Sequence, residues 1–290
     1  LMVDIAIVSA FRGLFVVPLQ ALIQHRSDDK NRAQIIAANN MFNAIFMVAS
    51  AAIGILALVV IELTIPEYFL VLALMNIVVA LYVYSRVPEF VLRFFIWMLG
   101  HTLYRVQDKG LENIPETGPV VLVCNHVSFV DAMLIAGTYH RPIRFVMDRS
   151  IAEMTGLKTF FKIAKTIPIC SPKANIDVYE NAFKRIKEEL ESGEIICIFP
   201  EGKLTADGEV DTFKSGIERI LKESPVPVVP MALGGMWGSV FSHKDGHALT
   251  KRPRRFWSKV TLTAAPFQSA DSASAASLER DVKALLRESS

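Results

Sequence analysis

Cysteine is scarce in this chain: there are three, Cys124, Cys170 and Cys197. No C-x-x-C pair occurs, and the odd, scattered set offers no disulfide framework, so a reducing compartment is expected. A dominant charge of one sign is also lacking. Basic and acidic residues number 31 and 29, a net charge of +2, so nothing points to nucleic acid as a partner. No basic stretch followed by a small-residue cleavage site marks the opening apolar segment, so that segment is not expected to be a secretory signal peptide. The sequence starts at Leu1 and enters an apolar segment at once, as expected of a fragment whose N-terminal part is missing. No G-x-S-x-G occurs, so no serine nucleophile of that pattern is indicated.

Apolar residues, by contrast, are plentiful at 52% of the chain, too many for an ordinary soluble protein. They concentrate in residues 1–87. Three stretches, roughly 3–24, 35–61 and 66–86, approach the ~20 apolar residues that cross a bilayer. The first is the weakest, because it carries Asp4, Arg12 and Gln20. Charges in a span usually face a bundle interior or an aqueous cavity, so a structural and a transport role both stay open. The loop "HRSDDKNR" holds Arg26, Lys30 and Arg32, while "ELTIPE" holds no cation. The positive-inside rule then puts 25–32 and everything after 86 on the cytoplasmic side.

The stretch "GLFVVPLQALIQHRSDDKNRAQIIAANNMFNAIFMV" resembles the last helices of major-facilitator lysophospholipid transporters. Three helices alone would not form an alternating-access carrier, which needs both halves around a central site. Residues 88–110, "PEFVLRFFIWMLGHTLYRVQDKG", interleave aromatics with Arg93, His101 and Arg105. They read as an interfacial junction helix or as a helix packed on the following domain.

From 111 onward short apolar runs alternate with amphipathic helices. The strands are "PVVLVCN", "IRFVMD", "TIPIC", "EIICIFP", "VPVVPMAL" and "KVTLTAA". This rhythm predicts an α/β domain over 111–266: a mostly parallel sheet with helices on both faces, preceded by about three transmembrane helices. Residues 267–290 read as a small-residue linker and a short helix.

Sites in such sheets gather at the carboxyl ends of the strands. The polar clusters "NHVSFVD", "MDRS" and "PEGKLT" all fall there. In the first, Ser128 and Asp131 match a capping box, so Asp131 has a purely structural reading. The functional reading puts His126 in the turn before the helix, folded back so that Asp131 holds one ring N–H. The other ring nitrogen would then act as a general base. With no internal nucleophile in place, its partner would be a substrate hydroxyl. In "FPEGKLT", Gly202 allows close backbone approach, and Lys203 and Thr205 are donors suited to a phosphate. Arg144 and Arg149 supply further charge.

Taken together, "NHVSFVD", "RFVMDRS", "FPEGKLT" and "VPVVPMAL" resemble, in order, the four blocks of the glycerolipid acyltransferases. The likeness extends to the 2-acylglycerophosphoethanolamine acyltransferase branch, often fused to a lysophospholipid transporter. That resemblance implies His126 as base and Asp131 as its orienting partner. It implies Glu201 and Gly202, with Arg144 or Arg149, as substrate-binding residues, and Asn125, Ser128, Lys203 and Thr205 of the same clusters are expected to bind substrate beside them. Pro227 and Pro230 would shape an acyl channel, and "MDRS" leaves the choice between Arg144 and Arg149 open. No metal or prosthetic group is implied, only acyl-CoA or acyl-carrier protein as cosubstrate. The expected acceptor is lysophosphatidic acid or lysophosphatidylethanolamine, and the expected place is a bacterial inner membrane, with the catalytic domain facing the cytoplasm. A missing N-terminal transporter part and a downstream acyl-activating domain are expected partners. "KRPRRFWSK" (251–259) reads as an anionic-headgroup contact or a solvated basic loop. The rival readings are a lysophospholipid transporter fragment with an accessory lipid-binding domain, and a lipid-binding scaffold with a dead site.

Overall fold

The computed structural model describes residues 2–28, 30–86, 88–239, 241–242 and 257–289. The chain divides into two compact units, Leu1–Val91 and Leu92–Ser290.

The first unit holds α1 (Met2–Arg26), α2 (Arg32–Ile55) and α3 (Ile65–Arg86). Three helical stretches here are long and apolar enough to cross a bilayer: Met2–Ala21, Arg32–Val60 and Ile65–Arg86. The second is longer than α2 alone because the last residues, Leu56–Val60, continue it as a π-helical turn. Their side chains are largely exposed within the chain, including Phe42, Phe46, Leu70 and Leu81. A lipid-facing helix has that character.

The second unit is built on one seven-stranded sheet. Its strands are β1 (Tyr104–Lys109), β2 (Val120–Cys124), β3 (Ile143–Asp148), β4 (Ile167–Ile169), β5 (Ile195–Ile198), β6 (Val228–Gly234) and β7 (Ser258–Ala264). Their spatial order is β1-β7-β6-β2-β5-β3-β4. All pairings are parallel except β6 with β7. The central strand β2 is apolar at every position and wholly buried, as a strand covered on both faces must be. Alternation along it feeds two cores. Leu122 and Cys124 face one, with Leu134 and Ile135 of α5 (Asp131–Thr138). Val121 and Val123 face the other, with Phe183 and Ile186 of α8 (Ile176–Glu191) and Ile217 and Ile220 of α9 (Gly216–Glu223). The amphipathic period of α8 puts Ala182, Phe183, Ile186 and Leu190 on its buried face. Asn175 caps this helix by accepting from the Val178 N–H at 3.0 Å.

Two segments differ from the sequence expectation, and a third is more deeply buried than expected. The junction helix α4 (Pro88–Leu103) stops at Leu103, and Tyr104–Lys109 forms an edge strand parallel to β7. The run "AEMTGLKTFFKIAK" (152–165) reads in the sequence as one helix, but the segment forms two short ones, α6 (Arg149–Ala152) and α7 (Lys158–Ile163), with Gly156 at φ +91° between them. The short helix expected within 267–290 is α10 (Ala275–Ser289), and its Leu278 and Val282 are fully buried in the second core.

Candidate active site

The site starts where β2 leaves the sheet. Asn125 replaces strand pairing with its side chain: its Nδ2 donates to the Leu233 carbonyl at 3.1 Å, and its Oδ1 accepts from the Leu233 N–H at 2.8 Å. The next residue, His126, is gripped by its main chain on both sides. Its N–H donates to Glu201 Oε1 at 2.7 Å, and its carbonyl accepts from the Thr205 N–H at 2.9 Å. Two loops at the carboxyl ends of β2 and β5 are thereby locked together.

Asp131, the first residue of α5, is completely buried. Its Oδ2 accepts from the Val127 N–H at 2.7 Å and the Ser128 N–H at 2.8 Å, and lies 3.0 Å from His126 Nδ1. Its Oδ1 accepts from the Ser128 hydroxyl at 2.6 Å. A carboxylate only accepts, so Nδ1 carries the hydrogen and Nε2 is left as the proton-accepting nitrogen. Ser128 is not a helix cap; its hydroxyl accepts from the Val130 N–H at 3.3 Å and donates to Asp131. One carboxylate thus braces the turn before α5 and meets the imidazole, while no side chain caps the helix.

The imidazole stacks on Phe199, with ring centroids 4.2 Å apart and planes 15° apart, and its side chain is 21% exposed. Sequence reasoning overlooked Phe199, which was read only as part of a strand. Its position just before "PEG" was the available signal.

The Glu201 carboxylate is buried, and its second oxygen accepts from the Asp211 N–H at 2.9 Å. Burial pushes its carboxyl above the ordinary range, against the opposing pull of the two backbone N–H groups. Thr205 is also buried. Its hydroxyl donates to the Glu209 carbonyl at 2.7 Å and accepts from the Gly208 N–H at 3.0 Å, closing the loop on itself. Gly202 sits at φ +67°, and a Cβ there would collide with the Lys214 ammonium. Lys203 is exposed and pairs with Asp211 at 2.8 Å, which raises the lysine and lowers the aspartate.

The structure therefore sorts the residues read as substrate contacts. Asn125, Ser128, Arg144, Glu201 and Thr205 are each no more than 2% exposed, and their side chains are engaged inside the protein. Arg144 lies near the start of β3, level with Ile196, and meets Glu189 and Glu194 at 3.4 and 3.3 Å. That is away from the strand ends where His126 sits. Arg149 follows the carboxyl end of β3, is exposed, and pairs with Glu153 at 2.9 Å. Arg149, Gly202 and Lys203 are the members of the set that reach the surface at this edge. Pro227 precedes β6 at the opposite edge, and Pro230 is buried within β6 beside Val123. Cys124 and Cys197 are buried among apolar neighbours, which pushes both thiols up and away from nucleophilic use. Of the basic run 251–259, residues 251–256 lie outside the described residues.

Residues 105–234 match the family model described as Acyltransferase. A chloroplastic 1-acyl-sn-glycerol-3-phosphate acyltransferase of Brassica napus is 28% identical over 163 residues, covering 53% of this chain and 46% of that protein. The protein of the same name from Pseudomonas aeruginosa is 28% identical over 48% of this chain and 54% of its own length. The chain spans about half the length of the curated relatives it matches. The crystal structure of the 1-acyl-sn-glycerophosphate acyltransferase PlsC from Thermotoga maritima superposes with a TM-score of 0.56 at 22% identity, covering 70% of this chain and 81% of that one. The segment that carries the His126–Asp131 pair is thus similar in sequence to proteins named for acyl transfer to 1-acylglycerol phosphate, and the fold is that of PlsC.

Proposed function

We propose that this chain transfers a fatty acyl group from a thioester to the free hydroxyl of a lysophospholipid. The observation that carries the reading is the His126 imidazole, held at Nδ1 by the buried Asp131 carboxylate, with Nε2 left as the base. Nε2 takes the proton of the lysophospholipid hydroxyl as its oxygen bonds to the thioester carbonyl carbon. The tetrahedral intermediate collapses, the carbon–sulfur bond breaks, and the thiolate takes the proton from the imidazolium. Asp131 keeps the ring in this tautomer and stabilises its transient positive charge. General-base assistance of this kind is worth about 10²–10⁴ in rate. The acceptor oxygen is the nucleophile, so no acyl-enzyme is needed. In line with this, no serine or cysteine side chain hydrogen-bonds to His126 among the described residues.

Arg149 and Lys203, exposed at the same edge, are the assigned contacts of the acceptor phosphate. The donor is acyl-CoA or acyl-carrier protein, and the acceptor lysophosphatidic acid or lysophosphatidylethanolamine. On this reading the three helices long and apolar enough to cross a bilayer make the chain a multi-pass protein of a bacterial inner membrane, and the positive-inside rule supports a cytoplasmic side for the basic loop 25–32 and the catalytic unit. They represent the end of a major-facilitator lysophospholipid transporter fused to the enzyme. On α4, the exposed Phe95, Trp97 and Leu99 suit the headgroup zone. The test is an assay of membranes carrying the chain, pairing labelled oleoyl-CoA or oleoyl-carrier protein with each lysolipid. Phospholipid product from at least one pair is expected, and no product from any pair would overturn the reading.

A further inference from the structure

The excursion between β3 and β4 has no part in the chemistry above. It leaves β3 after Asp148 and re-enters at Ile167, which is level with Val146. Residues 149–166 therefore emerge at the carboxyl edge of the sheet, the edge from which His126 projects. Their surface combines two features. Met154 and Leu157 are 50% and 43% exposed, although both are large and apolar. Next to them, Lys158 and Lys162 stand one helical turn apart on α7 with exposed side chains. The nearby carboxylates are engaged elsewhere: Glu153 pairs with Arg149, and Asp148 accepts from the Ser150 N–H and hydroxyl. Arg149, Glu153, Lys158, Lys162 and Lys165 give the segment a net charge of +3. Within the segment, the half-buried Phe160 and Phe161 pack edge-to-face at 5.2 Å, and the Phe161 carbonyl accepts from the Thr166 N–H. Phe129, in the loop between His126 and Asp131, adds a third exposed apolar side chain at this edge at 45%.

We propose that residues 153–162 form a docking surface for an anionic bilayer. Met154 and Leu157 enter the headgroup boundary, and Lys158 and Lys162 meet the lipid phosphates. Apolar side chains flanked by Lys158 and Lys162, which form no ion pair among the described residues, fit a lipid surface better than an acidic protein surface, which would leave Met154 and Leu157 little to bury in. Docking there brings the His126 edge to the membrane, where a lysophospholipid resides. Only the activity arm of the test rests on the acyltransferase reading.

The test uses the full chain in bilayer discs, with a spin label on Leu157→Cys in a Cys170→Ser background. Cys124 and Cys197 are buried and do not compete for the label. In discs of phosphatidylcholine with phosphatidylglycerol, the label is expected to be shielded from a water-soluble nickel chelate and accessible to oxygen. Lys158→Glu with Lys162→Glu should reverse this, because each lysine contributes roughly a fivefold gain in association near an anionic surface. The same double variant should raise KM several-fold for lysolipid in anionic bilayers and leave turnover of detergent-dispersed lysolipid unchanged. Equal nickel accessibility in anionic and neutral discs would overturn the proposal, as would a label that responds only to added acyl-carrier protein. Absence of turnover in every format, with the label still shielded, would overturn the acyltransferase reading and leave the docking surface standing.

Discussion

The main-chain N–H of His126 donates to Glu201 Oε1 at 2.7 Å, so the histidine of one loop is held by the carboxylate of another, 75 residues later. The other Glu201 oxygen holds the Asp211 N–H. Glu201 is thus a positioning residue whose two acceptors face two backbone donors inside the protein.

Replacing Glu201 with Gln puts an NH2 group against one of those donors. Stability at neutral pH should fall by roughly 1–3 kcal/mol, the cost of a buried donor left unsatisfied. The turnover rate should fall with it as His126 loses its register. Burial holds the Glu201 carboxyl above its unfolded range, so the folded state binds more protons than the unfolded state in that window. The contribution of this group to stability therefore declines as pH rises through the window. Gln lacks that slope, so the gap between parent and variant should narrow as pH rises there. Chemical denaturation of both proteins across mildly acidic pH checks this.

Asp131→Asn tests a carboxylate that accepts from two backbone N–H groups, a hydroxyl and the imidazole. An amide offers one acceptor oxygen, so both folding and rate should suffer. The melting midpoint should drop by the equivalent of about 2–4 kcal/mol, more than one donor's worth, and the rate by roughly 10²–10⁴. Ser128→Ala removes only the hydroxyl contact. It should cost about 1 kcal/mol and leave most of the rate. Calorimetry and initial rates on the two variants separate the roles.

Gly202→Ala meets two obstacles, a left-handed backbone at φ +67° and the Lys214 ammonium in the space of a Cβ. The backbone part costs about 1–2 kcal/mol. Adding Lys214→Ala should recover the steric part and leave the backbone part, which a comparison of the three melting curves would reveal.

Arg144 and Arg149 should behave oppositely. Arg144→Ala leaves Glu189 and Glu194 without their buried partner and should cost roughly 2 kcal/mol of stability, since both glutamates keep some solvent. Arg149→Ala breaks only an exposed pair, so stability should barely move. If Arg149 contacts the acceptor phosphate, KM for the lysolipid should rise about tenfold.

The central strands were legible because short apolar runs such as "VVLVC" and "IICI" have no other use at that length. The position of a candidate site was legible too, since polar clusters followed three of them. Residues 104–109 were not: "YRVQDK" is an edge strand with polar alternation, and its apolar neighbours made it look like the end of a helix. The buried face of α10 was hidden behind a run of small residues. The division of labour inside the blocks depends on partners 70 to 110 positions away, as with His126 and Glu201 or Asn125 and Leu233. A motif read along the chain shows that such residues gather, but not that Glu201 and Thr205 brace a loop while Arg149 reaches the surface. The stacking of Phe199 on His126 is another pairing that only the folded sheet reveals.

The most direct measurement compares His126→Ala with the parent chain in an acyl-transfer assay, alongside melting curves of both. The imidazole is partly exposed and its backbone bonds survive the change, so the midpoint should shift by no more than the equivalent of about 1 kcal/mol, the worth of the Phe199 stack. The account predicts that phospholipid formation falls by at least about 10²-fold. Turnover within a few-fold of the parent in a folded His126→Ala chain would contradict it.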